Sequence, residues 1–257
     1  MVRPTLFLSD AHLSVERPAQ IAMFRDVLAR AAALGAEVYI LGDLVEFWLG
    51  DDDDAPTMRT VVAALAEYSA AGGALKVSLG NRDFLFGERF CAETGATLLP
   101  DYLTVQLYGQ SVLLTHGDLL CTRDLKYQAF RGYVRDPQNQ QKFLGAPLAQ
   151  RRQIAAQMRE GTQASMLEKN DDIMDVDEDE VQQVMLAQGA TILIHGHTHR
   201  PAVHALSFPD GQPGLRYVLG DWYQTGTVLW VENGTYRLLS TTEFVHPEGV
   251  ISAEPSL

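Results

Sequence analysis

Short apolar runs recur along the chain, each ended by glycine or a polar residue. They are Leu6-Phe7-Leu8, Val38-Tyr39-Ile40-Leu41, Leu75-Lys76-Val77-Ser78-Leu79, Val112-Leu113-Leu114 and Ile192-Leu193-Ile194. Leucine-rich and β-branched runs of this length predict buried strands. Between them the period changes. Pro18 to Leu34 carries apolar positions at helical spacing and stops at Gly35, and Thr60 to Ala71 repeats the pattern before Gly72-Gly73. Glycine just past the last periodic residue is a helix stop. Strand–helix alternation of this kind predicts βαβ units, a mostly parallel sheet and the α/β class.

Residues 123–172 break the alternation. They are rich in Gln, Arg and Ala, carry Tyr127, Phe130, Tyr133 and Phe143, and are interrupted by Pro137 and Pro147. The expectation is an inserted helical lid within one domain spanning 1–257. Alternation resumes after Ile173-Met174-Asp175-Val176 with a helix from about Glu178 to Gln188. The tail reads as strands at Arg216–Leu219, Gly226–Val231 and Tyr236–Ser240. Asn233-Gly234 is a two-residue hairpin turn, since both positions tolerate positive φ. These segments predict a second, antiparallel-leaning sheet packed on the first.

Composition narrows the function. No apolar run is long enough for a spanning helix and the chain enters a strand almost at once, so the expectation is cytoplasmic with no signal peptide. Cys91 and Cys121 are the only two thiols, too few for a disulfide framework, and read as small buried apolar residues. A net charge of −13 disfavours nucleic acid. Its distribution is uneven: residues 123–169 hold nine Lys and Arg against four Asp and Glu, about +5 in a remainder of about −18. A local positive field suits an anionic substrate or membrane surface, and a solvated helical face is its plain alternative. The acidic run Asp51 to Asp54 reads as a solvated loop, or as support for a site near Asp43.

Each of the five apolar runs is followed by ligand-type residues: Ser9-Asp10-Ala11-His12, Gly42-Asp43, Gly80-Asn81, Thr115-His116-Gly117-Asp118 and Gly196-His197-Thr198-His199. Open α/β sheets bind ligands at the carboxyl ends of their strands. Side chains two apart in an extended segment share a side, so Asp10 and His12 can hold one ion together. The carboxylate of Asp43 has two oxygens and can bridge two ions. The expected division is Asp10, His12, Asp43 and His199 on one, with Asp43, Asn81, His116 and His197 on the other. Mixed nitrogen and oxygen donors favour Mn, Fe or Zn over Ca. Two such ions serve in-line displacement at phosphorus.

These strings closely resemble the calcineurin-like metallophosphoesterases, whose pattern is Asp-x-His, Gly-Asp, Gly-Asn-His, His and Gly-His-x-His. The resemblance implies a four-layer αββα sandwich. One departure is informative: Gly80-Asn81-Arg82 stands where the family usually has Gly-Asn-His. The family histidine helps an alkoxide or phenoxide leave. Arginine cannot act as an acid, but it can clamp a phosphate with two parallel hydrogen bonds. A phosphate leaving group, with a second pKa of about 6, needs no proton. That points to pyrophosphate cleavage, with Asn81, Arg82 and Asp43 as the catalytic set.

Six longer strings make the resemblance narrower: residues 9–13, 42–52, 80–84, 115–118, 173–176 and 195–201 are similar to the UDP-2,3-diacylglucosamine hydrolase family of lipid A synthesis. This implies two Mn2+ ions per chain, release of UMP and 2,3-diacylglucosamine 1-phosphate, a lid that holds acyl chains, and peripheral attachment to the cytoplasmic face of the inner membrane. It also implies substrate contacts at Asn81, Arg82, Asp124, Thr162, Met166, Lys169 and His197. Thr162 stands where serine is usual and Met166 where asparagine is, so an apolar contact replaces a polar one at 166. A broader phosphodiesterase and a non-catalytic interaction module on the same fold are the competing readings. His195, His204 and His246 read as packed or surface residues, Trp48, Trp222 and Trp230 as core, and Asp83 and Asp118 as ligand-orienting or turn-forming acids.

Overall fold

The computed structural model describes residues 3–168 and 175–247, without the side chains of 159–168. Its first half follows the predicted alternation: β1 (Thr5–Leu8), α1 (Pro18–Ala33), β2 (Glu37–Leu41), α2 (Pro56–Ala70), β3 (Ala74–Ser78), α3 (Glu88–Thr94) and β4 (Thr97–Leu98). Helix α2 starts four residues before the periodic pattern does, with Pro56 in its first turn, where proline's fixed φ suits a helix start. Next come β5 (Leu103–Leu107), β6 (Gln110–Leu114), α4 (Leu125–Arg135), α5 (Pro137–Leu144) and α6 (Leu148–Glu168). The chain continues with α7 (Glu178–Ala187), β7 (Ile192–His195), β8 (Ala202–Ser207), β9 (Pro213–Val218), β10 (Thr227–Glu232), β11 (Thr235–Ser240) and α8 (Thr241–Val245).

Two mixed sheets face one another. The first runs β11-β10-β1-β2-β3-β4 and the second β5-β6-β7-β9-β8. The C-terminal hairpin therefore belongs to the first sheet, contrary to the second sheet that the tail's pattern predicts. Strand β10 pairs antiparallel with β1, Leu6 opposite Trp230, and carries β11 to the edge of the first sheet. Conversely, β6 and β7 leave the first sheet and pair parallel in the second, Val112 opposite Ile192.

Side-chain alternation sorts each strand between layers. Phe7, Leu229, Val231, Val112, Leu114, Ile192 and Ile194 fill the space between the sheets. Their neighbours Leu6, Leu8, Val228 and Trp230 face α1 and α2 with Phe24, Val27 and Leu65. Leu113 and Leu193 face Val181 and Met185 of α7. Both faces of each sheet are covered, which is why these strands read as unbroken apolar runs. Trp48, Trp222 and Trp230 are buried, as expected of core residues. Cys91 is half-buried and Cys121 buried, both as free thiols.

The acidic run is an anchor rather than a solvated loop. Asp51 accepts from Gly87 N at 3.1 Å and Phe90 N at 3.0 Å, capping α3 from a distance. Both Asp52 oxygens accept from Arg151 of α6, Nη1 at 2.8 Å. Arg152 reaches Asp53 at 3.1 Å and Asp54 at 2.6 Å. Farther along, Arg123 pairs with Asp177 and Arg131 with Asp101 and Asp118. Among the described side chains, Arg123, Arg131, Arg151 and Arg152 are thus held in ion pairs that tie this segment to the body, which weakens the expected positive field.

Arg151 is 2% exposed and also donates to Ala146 O at 3.0 Å. Arg151→Ala leaves the buried Leu49 carbonyl unpaired, a loss of about 1–3 kcal/mol. Limited proteolysis should then cleave within 145–158 faster than in the parent, while sites in the sheets keep their rate.

Candidate metal centre

All seven predicted ligands lie just past strand ends: Asp10 and His12 after β1, Asp43 after β2, Asn81 after β3, His116 after β6, and His197 and His199 after β7. Four come from three loops after the first sheet's parallel strands and three from two loops after the second's, so the site straddles the layer boundary. The loops are zipped by backbone bonds. Asp10 N donates to Gly42 O at 3.0 Å, His12 N to Asp43 O at 3.0 Å and Gly196 N to His116 O at 2.9 Å.

The backbone is strained there. Seven described non-glycine residues have positive φ, and five are Asp10 (52°), His12 (44°), Asp43 (52°), His197 (68°) and His199 (57°). Such conformations cost about 1–3 kcal/mol each and persist only where the surroundings impose them. The flanking glycines allow the crowding. A Cβ on Gly80 would fall 2.2 Å from Asp43 Oδ1, and one on Gly196 2.1 Å from Asp10 Oδ2.

Donor atoms converge. His199 Nε2 is 3.2 Å from Asp10 Oδ1 and 3.3 Å from His12 Nε2. Asp43 turns Oδ2 to His12 Nε2 at 3.8 Å and Oδ1 to His116 Nε2 at 3.9 Å, facing both halves of the site. Asn81 Oδ1 stands 3.1 Å from His116 Nε2 and 3.0 Å from His197 Nδ1. Two groups could each hold an ion, Asp10 with His12 and His199, and Asp10 with Asp43 and His116. Asp10 is thus close to both, a place the sequence pattern assigns to Asp43 alone.

The arrangement fits divalent cations. His116 Nδ1 lies 2.8 Å from Leu41 O, which can only accept, so the neutral ring aims the lone pair of Nε2 at the oxygen of Asn81. Acceptor facing acceptor in a buried place is unfavourable unless a cation or proton lies between them. Burial lowers the His12 pKa to about 3 and that of His197 to about 4, keeping both rings in the metal-binding neutral form. Burial raises Asp43 to about 7. Burial opposes a charge on His199 as well, but the Asp10 carboxylate outweighs it and raises His199 to about 9.

The remaining expected residues fall differently. Arg82 donates its backbone N–H to Asp43 Oδ1 at 2.8 Å, while its Nε is buried without a hydrogen-bond partner. Asp124 caps α4 by accepting from Tyr127 N at 3.0 Å. Thr162 and Met166 lie on α6 with side chains outside the description, and Lys169 lies outside the described residues altogether. Asp83 accepts from Leu44 N at 2.7 Å and Gly80 N at 2.8 Å, so it orders two ligand loops rather than Arg82. His195 is packed: Nδ1 donates to Gly196 O at 2.8 Å and burial lowers its pKa to about 3. His204 and His246 are exposed.

Asp221 and Tyr223 lie in none of the strings, and Glu46 lies in the 42–52 string with no site role assigned to it. Asp221 Oδ2 is 3.4 Å from His199 Nδ1, a carboxylate behind a ligand histidine. The Tyr223 ring stacks on His12 at 5.2 Å, with the Arg17 guanidinium over the Tyr223 ring at 4.2 Å and the Tyr223 hydroxyl 3.4 Å from Glu46.

Residues 3–201 match the profile of the calcineurin-like phosphoesterases. The chain belongs to that family. It is 47% identical over 236 residues to UDP-2,3-diacylglucosamine hydrolase from Salmonella typhi, covering 92% of this chain and 98% of that protein. The enzyme of the same name from Salmonella arizonae matches at the same identity and coverage. Among solved structures it is similar to Yfce, a phosphoesterase from E. coli, at 18% identity and TM-score 0.47, over 93% of this chain and 94% of that one. The two facing sheets with helices outside are the calcineurin-like fold that the motifs imply.

Gly80→Ala should cost metal content and turnover together, because its methyl group displaces the Asp43 carboxylate; metal analysis of the purified variant checks this. Asp118 gives a pH test. Burial favours its neutral form, but the nearby His116, His197 and Arg131, with the Tyr127 hydrogen bond, hold its pKa well below the usual carboxylate range. Its stabilisation is therefore complete above the unfolded pKa of about 4 and fades as pH falls toward the folded value. The Tm gap between parent and Asp118→Asn should shrink from pH 7 to pH 3.

Proposed function

We propose that the protein hydrolyses the pyrophosphate bond of UDP-2,3-diacylglucosamine. Water adds to the α-phosphorus, the P–O–P bond breaks, and UMP and 2,3-diacylglucosamine 1-phosphate leave, with one proton released to solvent. The observation that carries the reading is Arg82 beside Asn81 at the convergence of the ligand loops, with a buried guanidinium nitrogen that lacks a partner. Kinship to hydrolases of that name at 47% identity supports the substrate.

Asp10, His12, Asp43 and His199 would hold one ion, and Asp43, Asn81, His116 and His197 the other. Bound there, a pair of divalent cations supplies Lewis acidity and an ionised water at neutral pH. Manganese is our choice, since mixed carboxylate, amide and imidazole donors suit it. Arg82 holds the diphosphate by charge-assisted hydrogen bonds and gives no proton, because guanidinium stays charged in proteins. None is needed: the departing sugar phosphate has a second pKa of about 6.

Residues 123–172 serve as a lid over the lipid end of the substrate. Tyr127 and Phe143 turn toward the body, but Leu125 is 75% exposed, Tyr133 60%, Leu144 41% and Phe130 37%. Lys126 and Lys142 are exposed among them. Apolar side chains mixed with lysines suit an anionic bilayer surface and acyl chains. Among the described residues no helix is long and apolar enough to cross a membrane, and attachment at the cytoplasmic face of the inner membrane is the location we propose.

Purified protein with Mn2+ should release UMP from UDP-2,3-diacylglucosamine. A folded, metal-loaded chain that cleaves bis-p-nitrophenyl phosphate but not the lipid would overturn the substrate. Arg82→Ala should lower turnover about 100-fold or more, the scale of one lost transition-state donor, with metal content unchanged.

A further inference from the structure

Helix α4 grips the ligand loops unevenly. One face carries Tyr127, Gln128, Arg131 and Arg135. The Tyr127 hydroxyl donates to Asp118 Oδ2 at 2.7 Å and Arg131 Nε donates to the same oxygen at 2.8 Å. Gln128 Nε2 donates to Asp118 O at 2.8 Å and Cys121 O at 3.2 Å. One turn on, Arg135 Nη2 donates to Leu79 O at 3.0 Å and Gly80 O at 2.9 Å. Asp118 lies two residues past His116, and Gly80 directly precedes Asn81. The Tyr127 ring also meets the His197 ring, centroids 5.5 Å apart. Among the described residues no hydrogen bond or ion pair joins α4 to Asp10, His12 or His199.

We propose that α4 is the positioning element for one half of the metal centre, acting through Arg135 on Asn81 and through Tyr127 on His116 and His197. The inference rests on the two-cation reading above. Asn81 sits on a loop after β3 of the first sheet, and His116 and His197 sit on loops after β6 and β7 of the second. Their donor atoms must meet across the gap between sheets, 3.0–3.1 Å apart as observed. Helix α4 bridges that gap, with Arg135 fixing the carbonyls on one side and Tyr127 with Arg131 fixing Asp118 on the other. In the other half, Asp10 and His12 are ordered by backbone bonds to Gly42 and Asp43, and His199 stands between the carboxylates of Asp10 and Asp221. Arg135 and Tyr127 touch no reacting atom in this scheme; they act through the ligands.

The test is stepwise Mn2+ binding to the full chain, read by electron paramagnetic resonance of free and bound metal, in the parent, Arg135→Ala and Tyr127→Phe. The parent should take two ions. In each variant one step should weaken about 10–100-fold, the range for residues behind metal ligands, while the other step keeps its affinity. Turnover should fall at limiting Mn2+ and recover toward the parent as Mn2+ is raised, with KM for lipid unchanged. Unchanged binding in both steps, or equal weakening of both, overturns the inference while leaving a two-ion parent intact. A parent that takes fewer than two ions overturns the two-cation reading and this inference with it. Tyr127→Phe keeps the ring and removes only the hydroxyl donor, so it carries the test if Arg135→Ala does not fold.

Discussion

Everything at this site depends on holding groups together that repel or desolvate one another. Two buried carboxylates, Asp10 and Asp43, stand with four imidazoles and an amide oxygen in a space where several acceptors face acceptors. Nothing inside the chain neutralises that arrangement fully. Protons on His199 do part of it, which is why the Asp10 carboxylate raises that imidazole. Divalent cations would do it better, since each satisfies several oxygen and nitrogen donors at once.

The fold supplies the force. Two apolar sheets, covered on both faces, bring five strand ends to one edge and press their loops together. Left-handed backbone at Asp10, His12, Asp43, His197 and His199 is the local consequence. The cost of about 1–3 kcal/mol per residue is carried by the cores beneath, so the strain marks the site rather than the scaffold. Glycines at 80 and 196 are required by contact distance, because any Cβ there would overlap a ligand carboxylate.

Residues 123–152 join this scheme through charge. The run Asp51–Asp54 and the arginines of α6 are far apart in sequence and meet as an anchor, Arg151 buried against Asp52 and Leu49. Net charge counted along the chain treats these as separate features. Their pairing explains how a strongly basic segment sits on an acidic protein. It leaves the face of α4 and α5 that carries Leu125 and Tyr133 exposed to solvent.

The ligand strings were readable from residues alone because each metal-type side chain follows a buried strand at once. Strand ends and metal chemistry are both local properties. The parallel order of β1, β2 and β3 and the helices between them were readable for the same reason. Sheet membership was not. An unbroken apolar run says that both faces are covered, not which sheet provides the neighbours, so β10 and β11 were expected in the wrong layer. Asp221 and Tyr223 reach His199 and His12 from distant loops, and Arg135 reaches the carbonyls of Leu79 and Gly80 from a helix, with no spacing rule relating them. Sequence by itself determined which atoms this protein could offer to a metal. Only tertiary structure decided how closely they stand, because the distances between loops are set by two sheets packing together, and that packing couples residues nearly two hundred positions apart, such as Asp10 and His199.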